Sequence, residues 1–518
     1  MQILPYVLLL LLMTVCNSGS EGITFTKETC FVGPEREKGV TRDTWTPADF
    51  QGAASFDVIV TAINSRIHVY NKINGDLVSS APMYEFFGYS QSWIDTDPRV
   101  IYDQEHDRFV VTMLAADFEF NTFARMYFAV SPHGNPGPDT PWHIDFASTD
   151  DIPGSSTWGD YPSVLADEKY LYATLNQFTF VGNIFKGTVV RIYDKLRFYD
   201  GSDLELVYRH AFESNLFQMT LAKMGKGARH KVNGVFLAHQ ELGGDGLRVY
   251  HLKESSDAAW EIYASNILDF DLAQGDGGVD VVAVMPCAHE VGTAYTVDTN
   301  DDRLIDAVWR DDVLYTTATV SVNGVTKASW FAVRTDITDS PTTYAELDSG
   351  VVQADLLDTG NKVYTFYPSV SVNAQGNLLI GFSASSNGLH VGAYAAGQVS
   401  RGEPLQVLEL QPGLGVLNGG RDCYRWGDYS GTTTDPADSG WWVFNQYGTS
   451  PGNYGTIMCK VKAVCPPGAA FDANAVDAAN ECCEPPAVMC GGACCTPPNS
   501  CLGEGEQEGC ENKMPSSC

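Results

Sequence analysis

Positive charge is scarce in this chain: 518 residues carry 32 Lys and Arg against 64 Asp and Glu, a formal charge of −32. That shortage excludes the usual means of holding nucleic acid or an anionic membrane, which rely on Lys and Arg to neutralise phosphate. The surface suits divalent cations, basic partners, a salty medium, or solubility alone. A second long apolar run is also missing. After the opening MQILPYVLLLLLMTVCNSGSEG, no segment approaches the roughly 20 apolar residues a spanning helix needs. The opening run has signal-peptide length and ends in small polar residues, although Lys and Arg are absent from its start, so residues 1–20 read as a signal peptide. Val15 ahead of Cys16 argues against a lipobox, and the polar end ENKMPSSC lacks a lipid-anchor signal. These features predict a secreted, extracellular protein with no transmembrane anchor.

Cysteine is sparse until residue 465. Of 14 cysteines, nine lie between Cys465 and Cys518, leaving only Cys30, Cys287, Cys423 and Cys459 in the preceding mature chain. The distribution predicts a small, disulfide-stapled module over 465–518 in an oxidising compartment. Removal of Cys16 with the signal leaves an odd number, so one thiol is free or forms an intermolecular disulfide, unless the cleavage site differs. Cys423 and Cys459 flank the last hairpin and are expected to pair with each other. The tail is rich in Pro, Gly, Ala and Glu, and it has no aromatic residue after Phe471. Its Cys482-Cys483 and Cys494-Cys495 pairs resemble knottin or hevein-like modules, which implies a disulfide fold. The missing aromatics leave nothing on which a chitin chain would stack.

Long amphipathic helical periodicity is absent as well, and short alternating runs take its place. Trp158-Gly159-Asp160-Tyr161 returns as Trp426-Gly427-Asp428-Tyr429, and Tyr161-Pro162-Ser163-Val164 returns as Tyr367-Pro368-Ser369-Val370. Related units start at Asp97 and Asp302. Each alternates, crosses an Asp-, Asn- or Gly-rich turn and alternates again, as hairpins do. Proline near the first position of a unit fits a strand start. Beyond the hairpins come seven further alternating runs, from Arg66, Arg125, Thr188, Gly246, Lys327, Leu389 and Gly455. They read as the outer strands of seven blades, spaced roughly sixty residues apart, with an insertion around 260–300. The fold class is therefore all-β: a β-propeller over 55–464, most simply seven-bladed with six or eight open, after an N-terminal extension over 21–54.

The stretch from Arg425 to Gly431, with Asp435-Pro436 and Trp441-Trp442, resembles the closing blade of secreted propeller proteins known mainly from bacteria. Ile63-Asn64-Ser65-Arg66-Ile67, Asp97-Pro98-Arg99-Val100 and Asp302-Arg303-Leu304 follow the same pattern in order, over about 55–463. The resemblance implies a propeller and secretion but no reaction. It also implies a remote likeness to sialidase-like propellers.

In a propeller, equivalent positions of the blades converge at one mouth of the channel. Asp97, Asp160, Asp302 and Asp428 share nearly one phase, and oxygen ligands gathered in this way suit calcium. Alternatively they bind sugar hydroxyls beside Trp158, Tyr161, Trp426 and Tyr429, or simply cap turns and wedge blades apart. Arg99, Arg303 and Arg425 form the trio that an acidic sugar would require. Yet no FRIP-like start is present, and the nearest Asp-box, Asp438-Ser439-Gly440-Trp441-Trp442, lacks its Ser and Thr. Pairing of these arginines with neighbouring aspartates is the expected outcome. Asp298, Asn300 and Asp302 alternate like a calcium loop but lack its Gly and Glu. The histidines show no zinc spacing. The leading expectation is an extracellular or matrix binding protein that holds a glycan or protein on one face. The alternatives are a divergent glycoside hydrolase or lyase acting on acidic sugars, and a structural wall component.

Overall fold

The computed structural model describes residues 22–34, 47–119, 123–240, 246–255, 259–270, 279–280, 287–291, 296–336, 344–417, 423–450, 453–464, 488–490 and 493–495. The alternating runs form seven antiparallel blades, each built on four strands. Their innermost strands are Gln51–Ala54, Ile94–Asp103, Thr157–Ala166, Thr220–Leu221, Leu304–Arg310, Tyr364–Val372 and Gly431–Thr434. These define blades 1 to 7 in chain order, and the upper mouth is the end at which they begin. Both faces of each blade carry apolar side chains, so the core is a set of layers between blades. Phe109, Val111 and Met113, for example, meet Val58, Val60 and Val69 between blades 2 and 1.

The seven runs read as outer strands are the third strands. A more exposed fourth strand lies outside each, as Leu77–Pro82 does beside Arg66–Asn71. In blade 7 the fourth strand is Thr24–Val32, from the other end of the chain. The expected extension over 21–54 therefore supplies a closing strand and the first inner strand, and the compact unit covers Phe25–Ala463. The cysteines follow this closure: Cys459 pairs with Cys30 across the closing strand, and Cys423 pairs with Cys287. The expected Cys423–Cys459 pair is thus corrected, because each cysteine meets a strand or segment distant in sequence. The insertion starts later than expected, since Trp260–Ala264 is the fourth strand of blade 4. It returns through the pair Ala288–His289 and Thr296–Val297, whose Val297 bridges to Tyr424.

The prolines do not mark strand starts. Pro98, Pro162 and Pro368 lie within the innermost strands of blades 2, 3 and 6, each at a shift in register. The residue before each is left-handed: Asp97 with φ 58°, Tyr161 with φ 49° and Tyr367 with φ 50°. A bulge on a channel-lining edge strand is where a residue without an N–H does least harm. The N–H of each left-handed residue is captured by a side chain of the preceding blade. Asp97 donates to Asn64 Oδ1 at 2.8 Å, Tyr161 to Asp97 Oδ2 at 2.9 Å and Tyr367 to Thr319 Oγ1 at 3.2 Å. The repeated phase is a stitch between blades.

A second stitch lies at the lower end. Asp435, Asp103 and Asp167 open the first turn of blades 7, 2 and 3 and accept backbone N–H groups there. Each also takes a buried cation from the following blade: Lys72 Nζ at 2.6 Å on Asp435, Lys195 Nζ at 2.7 Å on Asp103, and Arg229 on Asp167.

The second compact unit of the chain contains, among its described residues, the paired strands Val488–Cys490 and Ala493–Cys495. The expected signal segment and most of the expected disulfide-stapled tail, including the bonding of the odd cysteine that cleavage would leave, lie outside the described residues. No helix among the described residues is long and apolar enough to cross a membrane.

Candidate functional site

Asp97 and Asp160 meet at the upper end of the channel, and Asp49 and Asp428 join them. Asp49 stands just ahead of blade 1, where its carboxylate accepts Asp428 N at 2.7 Å and Asn64 Nδ2 at 2.7 Å. Asp97 accepts Thr96 Oγ1 at 2.8 Å besides Tyr161 N. Burial, reinforced by the neighbouring carboxylates, holds Asp49, Asp97 and Asp160 above the usual carboxylate range.

The aromatic residues of the duplicated motif divide into two groups. Tyr161, Tyr429 and Trp426 are buried. Tyr161 reaches from blade 3 to Asp428 O at 2.9 Å, and Tyr429 from blade 7 to Pro98 O at 3.0 Å. Their rings meet edge to face at 5.7 Å, so side chains of blades 3 and 7 touch across the channel. Trp426 Nε1 donates to Ser383 Oγ at 3.0 Å inside the core. These three are packing groups that no sugar ring can reach. Trp158 alone is partly exposed, against Phe118 at 5.0 Å and Phe178 at 5.5 Å.

Each of the three arginines has partners within the chain. Arg303 lies 4.7 Å from the Tyr161 ring and binds Asp301 through Nε and Nη2, both at 2.6 Å. The carboxylate beside it is therefore Asp301, where the sequence pointed to Asp302, which is buried one residue further on. Arg425 grips Asp428 at 2.7 and 2.8 Å. Arg99 lies 3.5 Å from the Tyr429 ring and donates to Pro162 O at 2.6 Å. The trio occupies one neighbourhood, and each guanidinium already donates at least one hydrogen bond within the protein.

Sequence reasoning missed Asp49, and it gave Asn64, Asn300 and Tyr367 no place at this site. Asn300 reaches Asp428 Oδ1 at 3.4 Å. Asp49 precedes a short strand with no repeat signature, and Asn64 belongs to the opening-blade pattern, which assigns it no role. Tyr367 was signalled by the repeated Tyr-Pro-Ser-Val, which was read only for its phase.

Below the two tyrosines lies a cavity of about 200 Å³, lined in part by Gln51, Arg99, Ser163 and Asp306. Lys223, on a two-residue strand running parallel to the inner strand of blade 5, spans it. Its ammonium reaches Asp306 at 2.6 Å, Val370 O at 2.8 Å and Thr432 O at 2.9 Å, linking blades 5, 6 and 7.

No family model matches this chain, and no curated protein does. Solved structures do resemble it. A mutant of Trypanosoma rangeli sialidase displaying trans-sialidase activity aligns at 10% identity and TM-score 0.37, over 83% of this chain and 59% of that one. Drosophila plexin A in complex with semaphorin 1b aligns at 9% identity and TM-score 0.34, over 85% and 88%. The Dos1 propeller aligns at 10% identity and TM-score 0.35, over 77% and 75%. This chain spans less than two thirds of the sialidase chain's length. The fold is established by the seven sheets themselves, not by these likenesses.

Proposed function

We propose that this is a secreted extracellular binding protein that takes a glycan or protein ligand on its upper face at blade 3. The observation carrying this reading is an aromatic cluster at that edge. Phe118, Trp158, Phe178, Phe180, Phe185 and Phe217 are all partly exposed and share ring contacts. The hairpin tip beside them presents Val181 at 81% and Ile184 at 56% exposure. Partly exposed aromatic rings gathered beside exposed aliphatic side chains are characteristic of recognition surfaces. Arg303 lies 4.8 Å from the Phe217 ring, so polar groups border the apolar patch. The disulfides support an oxidising compartment.

The hydrolase reading rested on the trio Arg99, Arg303 and Arg425. It draws no support from arginines engaged by Asp301, Asp428 and Pro162. Glycan-array and interaction-capture measurements on the full chain test the binding reading. Trp158→Ala should lower ligand affinity at least tenfold while leaving the melting temperature within a few degrees, because the ring is partly exposed. Val181→Asp with Ile184→Asp should abolish a protein contact but spare a sugar stacked on Trp158. Affinity unchanged in every variant would sink the assignment of this face.

A further inference from the structure

We propose that the upper end of the channel is a hard-cation site, in which Asp49, Asp97 and Asp428 bind one Ca²⁺ and an ion-bound water meets the hydroxyl of Tyr367. One carboxylate oxygen from each aspartate lies within 4.8 Å of the other two. With Ca²⁺–O distances of about 2.4 Å, ligands on opposite sides of the ion stand about 4.8 Å apart, so all three oxygens can share one ion. The donor set is oxygen only, which suits Ca²⁺ and not the softer metals held by sulfur or imidazole. The carboxylates come from three successive blades, 7, 1 and 2, and are already oriented. Asp49 and Asp97 accept the N–H groups of Asp428 and Tyr161, and each oxygen keeps a further lone pair for a metal.

Tyr367 supplies an independent observation. Its side chain is 2% exposed, yet among the described residues its hydroxyl has no hydrogen-bond partner. The charged groups that act on that hydroxyl are Asp298, Asp428 and Arg425, and of these Asp428 belongs to the cluster. A buried hydroxyl without a partner is costly and rare, and an ion-bound water supplies one. Charge points the same way. Of the three proposed ligands only Asp428 has an ion pair, with Arg425; among the described residues Asp49 and Asp97, and Asp160 beside them, form none. A divalent cation provides the missing counter-charge. This site lies beneath the surface and does not depend on the aromatic patch at blade 3.

The test uses the full chain, stripped with chelator and titrated with Tb³⁺, a luminescent Ca²⁺ substitute excited through the neighbouring tyrosines. Sensitised emission should appear, fall when Ca²⁺ competes, and accompany a Ca²⁺-dependent rise in melting temperature of several degrees. Asp49→Asn with Asp97→Asn keeps one oxygen on each side chain to accept the backbone N–H it holds, removes both charges and should weaken Tb³⁺ binding at least tenfold. Tyr367→Phe should weaken it severalfold. A wild-type protein that neither sensitises Tb³⁺ nor gains stability in millimolar Ca²⁺ overturns the proposal, as does wild-type affinity in the double variant. If that variant does not fold, the wild-type and Tyr367→Phe measurements decide. None of these readouts involves the ligand of the outer face.

Discussion

Tyr161 and Tyr429 each place a hydroxyl on a carbonyl of another blade, so two copies of one tetrapeptide tie blade 3 to blade 7 and blade 7 to blade 2. The repetition that drew attention to them is structural at these positions, and only Trp158 of the motif aromatics keeps an accessible face. A different pair of residues makes the fold sensitive to acid. Burial pushes the imidazoles of His68 and His251 down to about 4, and the charge of Arg66 adds to the effect at His68. A depressed imidazole contributes stability that is present above the ordinary value near 6.5 and is lost as pH falls towards 4. Each therefore withdraws on the order of 3 kcal/mol across that window. His251 stacks on Phe236 at 4.8 Å, so His251→Phe is a fitting replacement. Its stability relative to wild type should improve progressively as pH falls from about 6.5 to about 4, measured by urea unfolding at each pH. A constant difference across the window would refute the assignment.

Among the elements, the bulged inner strands carry the most information. A proline inside a strand reads as a boundary in sequence, because a central strand cannot spare its N–H. Here the strand is central to the blade's function yet sits at its edge, facing the channel, and a bulge absorbs the proline. Sequence alternation was enough to reveal seven third strands, the hairpins and the Asp-led turns, since burial on both faces of a blade keeps those strands long. It could not reveal Thr24–Val32 as the partner of Asn453–Val464, because nothing local records a pairing across so much chain. Nor could it show Lys223–Met224 entering the channel, because two residues carry no period. The candidate site was legible as a phase, through Asp97, Asp160 and Asp428. Its partner Asp49 was hidden because it adjoins blade 1 outside the repeated words, and Asn64 was visible only as part of the opening-blade pattern, with no role attached. Asn64 is the strongest test of the stitching. It donates to Pro47 O at 3.0 Å and to Asp49 at 2.7 Å, and accepts Asp97 N at 2.8 Å. Asn64→Ala should cost about 3 kcal/mol by leaving these groups unpaired, with the urea midpoint falling and the slope unchanged. A loss below 0.5 kcal/mol would show that the bonds between blades are incidental.

For the whole molecule, closure of the ring is decisive. Cys30 and Cys459 are separated by 429 residues, and their disulfide restricts the unfolded chain more than a short loop would. Stabilisation of order 5 kcal/mol follows from chain entropy. Cys30→Ser with Cys459→Ser should lower the melting temperature by about 5 °C, a modest shift because so large a unit has a large unfolding entropy. An unchanged melting temperature would mean that strand pairing alone closes the ring. The same closure orders events in time. During synthesis Thr24–Val32 emerges from the ribosome before any blade, yet its hydrogen-bonding partner Asn453–Val464 appears only after all seven inner strands have been made. The strand made first is thus the last to be seated. Until then the growing chain carries an unpaired edge at each end, and its successful folding depends on keeping those two edges from pairing with any other chain.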